Sequence, residues 1–285
     1  KNGAGLEESS LEAPAIERFL ERIHSKSTQQ AASALDIPEE NVPLLYISGV
    51  LINRIAKMMG AKMIWTPGVT LCDGMAYEYA EKHKIIKEDH DFEQDIIACA
   101  QNISKRYMGS KRRGETLEKI AMTIFDSMKK VHGLGRREGL LLRIATLLHD
   151  CGKYISLVNL GECSYNIIMS TEIIGLSHKE REIVANVVKY NHMDFNYGEV
   201  TGSGTIDRDA YLTIAKLTAI LKIANGLDRS HKQKFKDVRA VLKERELIIT
   251  VDDSVDITLE KGLFTRRSVF FEEVYSVRPV IRQRG

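Results

Sequence analysis

The stretch LLLRIATLLHDCGKYISL, residues 140–157, limits the possible folds more than any other part of the chain. From Leu140 to Leu148 the residues are apolar on nearly every side. A helix of that kind has no face to offer water and belongs at the centre of a bundle. The surrounding sequence repeats the helical signal. Phe92, Ile96, Ala100, Ile103 and Tyr107 fall on one stripe, and Leu117, Ile120, Ala121, Ile124, Phe125 and Met128 on another. Ser177 with Glu180 reads as a capping box opening a helix that runs toward His192, and residues 207–227 read as one more long helix. GSKRRG, HGLGRREG and NYGEVTGSGTIDRD read as connections. Helix upon helix with short connections predicts an all-α domain.

Both flanks change period. Upstream, Ser9 with Glu12 is expected to cap a helix carrying Ile16, Phe19, Leu20 and Ile23. Helices over residues 27–35 and 42–59 follow, the second ending at Gly60. Met63 to Trp65 reads as a short strand and Asp73 as the N-cap of a further helix. A single strand makes no sheet, so this α/β tail is expected to find its partner strands outside the sequence. Downstream, Val238, Ala240 and Leu242 alternate with polar residues, then Leu247, Ile249 and Val251, then Val255, Ile257 and Leu259. A helix through Phe264, Phe270, Phe271 and Val274 and a final strand VRPVI complete a small α+β module, too small to stand alone. With KHKIIKEDHD as a charged linker, the predicted divisions are residues 1–85, 90–233 and 235–285, and the fold class is mainly α.

The chain has a net charge of +2 and 44% hydrophobic residues, a soluble globular composition. No stretch is read as apolar enough to span a membrane, and no signal peptide is visible, although the chain begins at Lys1 as a trimmed piece would. Cys72, Cys99, Cys151 and Cys163 form no Cys-x-x-Cys pair, which excludes the usual zinc knuckle and suits a reducing cytoplasm. Charge is uneven. Residues 1–100 carry 10 basic and 16 acidic side chains, residues 101–153 carry 12 and 5. The basic block fits either an anionic partner or a solvated helix surface. No nucleic-acid reading motif accompanies it, and GLGRREG follows a helix rather than a strand, so it is not a dinucleotide loop.

LLHDCGK, at the end of the apolar helix, resembles the His-Asp signature of the HD superfamily of metal-dependent phosphohydrolases. That chemistry needs imidazoles and carboxylates from several helices converging on one divalent ion. His149 and Asp150 fit cleanly, and His192 and Asp228 are the further candidate ligands. The first His of the pattern has no counterpart: the inward position one turn before Leu117 is Arg113, a fixed cation. His132 is expected in an exposed loop. The other reading is that His149 and Asp150 hydrogen-bond between helices and hold the Gly152 turn.

Taken in order, AKMIWTPGVTLCDGMAYEYAEKHK, LLLRIATLLHDCGKYISLVN, SHKEREIVANVVKYN, LKIANGLDRSHKQKF and DITLEKGLF…FFEEVYSVRPVIR resemble the C-terminal part of the Ppx/GppA family of exopolyphosphatases and guanosine pentaphosphate phosphatases. The resemblance implies the tail of an actin-like domain, an HD-like helical domain and a terminal α+β module. It also implies that hydrolysis of the terminal phosphate, assisted by Mg²⁺, belongs to a cleft between two actin-like domains whose Gly-rich phosphate loops have no equivalents here. No catalytic residue and no bound cofactor are therefore expected in this chain, and by itself it is expected to be inactive. Where many relatives carry a His-rich turn, Asn159, Glu162 and Cys163 stand; with Arg113, Asn191 and Asn225 they make a substituted metal site. The leading expectation is a degenerate HD-like domain that binds polyphosphate or guanosine pentaphosphate and pairs as a homodimer. Arg112, Arg113, Arg136, Arg137, Lys153, Arg229, His231 and Lys232 are the candidate phosphate-binding residues, because guanidinium forks grip phosphate well. The alternatives are an active metal-dependent HD phosphohydrolase and a ligand-free scaffold.

Overall fold

A computed structural model describes residues 10–87, 90–202, 206–228, 235, 238–251 and 256–283. The chain divides into two compact units, residues 1–89 and 90–285.

In the first unit, strand β1 (Ser10–Glu12) runs directly into α1 (Ala13–His24), whose first turn holds Pro14, a residue that needs no amide partner there. Ser10–Glu12 is therefore strand, not the cap predicted around Ser9, which itself lies outside the described residues. Helix α2 (Thr28–Leu35) opens on a reciprocal box between Ser27 and Gln30. Helix α3 (Asn41–Met59) stops at Gly60, whose positive φ of 63° suits a residue without a Cβ. Strand β2 (Met63–Trp65) pairs antiparallel with β1, Leu11 opposite Ile64. This corrects the expectation that the partner lay outside the sequence; it lies some fifty residues upstream. Helix α4 (Leu71–Lys82) is capped by Thr70, and Asp73 sits at the third position of the same box, its carboxylate accepting from the Thr70 amide at 2.7 Å. The predicted cap was thus offset by one half of a reciprocal pair.

The core of this unit is small: Ile16, Leu20, Ile23, Ala31, Ala32, Val42 and Ala56. Helix α3 leaves Ile47, Leu51, Ile55 and Met58 more than half exposed. Its 19 residues contain an 18-residue window with a mean hydropathy of 1.3 and are also long and apolar enough to cross a membrane by length and composition alone. The reading that no stretch reached that threshold is corrected to that extent.

The second unit is built around one helix, as the sequence predicts. Helices α5 (Phe92–Arg106), α6 (Lys111–Ser127), α7 (Lys129–His132) and α8 (Arg136–Leu148) are followed by a 3-10 turn (Cys151–Tyr154). Then come α9 (Leu160–Ser170), α10 (His178–His192), α11 (Tyr197–Gly202) and α12 (Arg208–Leu227). Leu140, Leu142, Ile144, Ala145 and Leu148 of α8 are buried, and α5, α6, α10 and α12 surround them. Two loop predictions need revision. Lys111, Arg112 and Arg113 already belong to α6, which Ser110 caps. Residues 197–202 form α11 within the segment whose composition predicts a loop, while residues 203–205 lie outside the described residues.

His132 is not exposed. Its ring is fully buried, donating from Nε2 to the Phe125 carbonyl at 2.9 Å and accepting at Nδ1 from the Leu134 amide at 2.8 Å. With both nitrogens partnered, burial costs little and lowers its pKa.

Strands β3 (Arg239–Lys243) and β4 (Glu246–Val251) form an antiparallel hairpin, and α13 (Thr258–Tyr275) crosses over to β5 (Arg278–Gln283), parallel to β4. The third alternating run is not a strand: Leu259 is helical and Val255 lies outside the described residues. Helix α13 packs on α12, and Leu247, Ile249 and Phe271 share one continuous core with Leu117 and Ile144. That shared core is how so small a module is stabilised.

Candidate functional site

Four helices bring polar groups to one buried point. Arg113 comes from the first turn of α6, His149 and Asp150 from the end of α8, Asn191 and His192 from the end of α10, and Asn225 and Asp228 from the end of α12. Local packing sets their directions. Arg113 lies one turn before Leu117 and so shares its inward face. The 3-10 turn that follows Asp150 is pressed against α9: a Cβ on Gly152 would lie 2.4 Å from the Ser164 amide nitrogen and 2.5 Å from the Leu160 carbonyl oxygen. Only glycine fits there, and its own amide donates to Ser164 Oγ at 3.0 Å.

Arg113 is the hub. Its side chain is only 11% exposed. Nη2 donates to Asn225 Oδ1 at 3.0 Å, Nη1 lies 3.8 Å from Asp150 Oδ2, and Nε lies 3.5 Å from Asp228 Oδ2. Asn225 continues the network by donating from Nδ2 to Asn191 Oδ1 at 3.3 Å. One fixed cation thus faces two buried carboxylates.

His149 is buried and neutral. Its Nδ1 donates to the Thr146 carbonyl at 2.8 Å, which leaves Nε2 as the unprotonated nitrogen, without a hydrogen-bond partner among the described residues. Burial is the main cause that pushes its pKa down to about 4; Asp150 opposes the shift and Arg113 reinforces it. His192 is committed elsewhere, its Nε2 donating to the His149 carbonyl at 2.5 Å. Burial lowers its pKa too.

These residues do not fit a metal ion. Among the described residues no group of three His, Cys, Asp or Glu side chains is placed to hold one. The carboxylates of Asp150 and Asp228 already face a guanidinium, whose charge repels a second cation. The Nε2 of His192 is spent on a backbone carbonyl. The proposed ligand set His149, Asp150, His192 and Asp228 is therefore brought together in space but not as a coordination sphere. The substituted turn is likewise closed by an internal ion pair, Glu162 to Lys189 at 2.8 Å.

The candidate phosphate-binding residues do not form one row. Arg113 is largely enclosed and engaged. Arg136 and Arg137 open α8, whereas Lys153 follows its far end; thirteen residues at a helical rise put about 20 Å between those ends. Arg136 pairs with Glu93 at 2.9 Å. Arg137 grips Glu180 through Nε at 2.6 Å and Nη2 at 3.1 Å, and also donates to the Gly175 carbonyl. That fork, with the Ser177 cap, holds the Glu180 carboxyl down to about 2. Arg112 and Lys153 are exposed, and both adjoin the Arg113–Asp150 contact in sequence. Tyr107 meets Tyr154 edge-on at 5.7 Å, which brings the basic end of α5, Lys105 and Arg106, to the same region. Arg229, His231 and Lys232 lie outside the described residues.

Sequence reasoning missed Lys222, Arg266 and Arg267, which line a separate cavity against His192. The available signals were a lone Lys in the apolar run AILKIANGL and a basic pair inside LFTRRSVFF.

Domain III of the Ppx/GppA phosphatases is the family whose sequence model matches, over residues 97–270. No curated protein matches the chain.

Proposed function

Since the chain belongs to the Ppx/GppA phosphatase family, we propose that its second unit is an HD-like domain in which Arg113 has taken the place of a metal ion, and that it binds polyphosphate or the phosphate chain of guanosine pentaphosphate for a catalytic centre outside it. The observation that carries this reading is the Arg113 guanidinium set against Asp150, Asn225 and Asp228. A guanidinium supplies the positive charge that holds two carboxylates together, but it offers no activated water. The cluster is thus a structural joint between helices, and hydrolysis has to occur elsewhere.

Arg113 drops out as a phosphate ligand for the same reason. The surface around the start of α6 and the 3-10 turn takes over that role, with Arg112 and Lys153 as its principal donors and Lys105, Arg106 and Lys111 beside them. The first unit is read as the tail of an actin-like domain. The exposed apolar side of α3 supports this, since a side of that kind calls for further protein to cover it. We assign pairing of two copies to the run Tyr154, Ile155, Leu157 and Val158, whose exposure supports it.

Titration of a polyphosphate chain into the protein at low and at high salt tests the binding. The expected result is measurable affinity at low salt that falls steeply as salt rises, and a further drop in Arg112→Gln and Lys153→Gln. No detectable affinity at low salt would leave the ligand-free scaffold as the better account.

A further inference from the structure

We infer that a cavity of about 510 Å³ between the end of α10, α12 and α13 binds a nucleoside phosphate. The site shares no residue with the Arg112–Lys153 surface and does not rest on that proposal. Its volume is that of an ordinary small-molecule pocket. Its cationic side is Lys222, Arg266 and Arg267. Lys222 is fixed in place: Nζ donates to the Met193 carbonyl at 2.7 Å and stands 5.2 Å over the Phe270 ring. Its environment is costly for a charge, because burial pushes its pKa down to about 8, with Asp194 opposing and Arg267 adding to that shift. A bound anion relieves that cost. Arg266 is exposed and makes no ion pair among the described residues, so its fork is available to a phosphate. The stem of Arg267 lies against Gly226, where a Cβ would come within 3.0 Å of its Cδ, and so packs closely on α12.

The other side of the cavity decides the ligand class. Phe195 stacks on Phe270 with ring centres 4.9 Å apart and meets Tyr197 edge-on at 5.2 Å. Two carboxylates, Asp194 and Glu273, share the wall, and Glu273 accepts from the Tyr197 hydroxyl. A bare polyphosphate has no use for aromatic rings and is repelled by carboxylates. A nucleoside phosphate matches all three features: an anionic end for the cations, a flat ring for the aromatic group, and N–H and O–H donors for the carboxylates.

Calorimetric titration of the full chain with GDP, ADP, inorganic pyrophosphate and a 5′-phosphorylated RNA oligomer tests this. At least one of the two nucleotides is expected to bind, and pyrophosphate to bind roughly tenfold more weakly or worse, a margin that ring contacts supply readily. Arg266→Gln and Lys222→Gln are each expected to weaken nucleotide binding by roughly tenfold, the loss of one charge-assisted contact. Phe195→Ala is expected to weaken nucleotide but not pyrophosphate binding. Arg266 is exposed, so its variant retains the fold even if Lys222→Gln does not. The titrations are repeated in Arg112→Gln/Lys153→Gln, which removes binding at the polyphosphate surface; the nucleotide affinity that remains is the one assigned to this cavity, and its disappearance there would overturn the assignment. No binding of either nucleotide, affinity unaltered in Arg266→Gln, pyrophosphate binding as tight as nucleotide, or binding of the RNA alone would each overturn the assignment.

Discussion

Replacing Arg113 with methionine is expected to lower the unfolding free energy by about 3–5 kcal/mol, the usual cost of deleting one partner from a buried charge cluster. The side chains left behind are nearly inaccessible, Asp228 at 1% and Asp150 at 10% exposed, so water cannot replace the guanidinium. Asn225 loses its Arg113 donor as well. Arg113→Lys keeps the charge without the planar fork and is expected to lose less. Equilibrium urea unfolding of the three proteins measures the effect. A change within experimental error for Arg113→Met would mean that the cluster is solvated and the joint unimportant.

Acid is expected to destabilise the second unit well before its carboxylates titrate. His149 has a folded pKa of about 4 against roughly 6.5 in an unfolded chain. Between those values the unfolded state holds more protons than the folded state, so stability is full above pH 6.5 and is lost as the pH falls toward 4. The contribution of this one residue is about 3 kcal/mol in total and about 2 kcal/mol between pH 7 and pH 5. Burial also lowers the pKa of His132 and His192, which adds loss of the same sign. Glu180, held down to about 2, contributes in a lower window, from its ordinary 4.5 downward, and is separable on that ground. Urea unfolding from pH 7 to pH 5 checks the slope, with His149→Gln expected to flatten it. Stability that is level or rises toward acid in that window contradicts a neutral, buried His149.

The parts of the fold that were legible are those whose signal is local and periodic. Residues 140–148 announce a central helix because they are apolar on nearly every side, and Arg113 announces its inward direction through its spacing from Leu117. Non-local pairing left no such mark. Strand β1 is three residues long, and its partner β2 lies some fifty residues away, so nothing around Ser10 signals a strand. Cap chemistry misled by phase: Thr70 and Asp73 satisfy each other, and either alone resembles a cap. The glycine flanking His132 suggested a loop, yet the ring finds a backbone donor and a backbone acceptor inside the core.

At the candidate site, the residue types were readable but their mutual engagement was not. The substitutions at Arg113, Asn191 and Asn225 stood out singly. That they join into one hydrogen-bonded chain, and that Arg113 is thereby withdrawn from any ligand, depends on three helix ends meeting in space. The basic block misled in the same way. Arg136 and Arg137 are close to Arg112 in sequence, but α8 carries them away from Lys153, and Glu93 and Glu180 neutralise them.

The role of Arg113 as a stand-in for a metal is tested most directly by metal content. The purified full chain is incubated with Mn²⁺, Fe²⁺ or Zn²⁺, desalted and analysed by mass spectrometry of the elements. The account predicts no stoichiometric ion in any of the three cases. One tightly held ion per chain, lost in His149→Ala and Asp150→Ala, would contradict it.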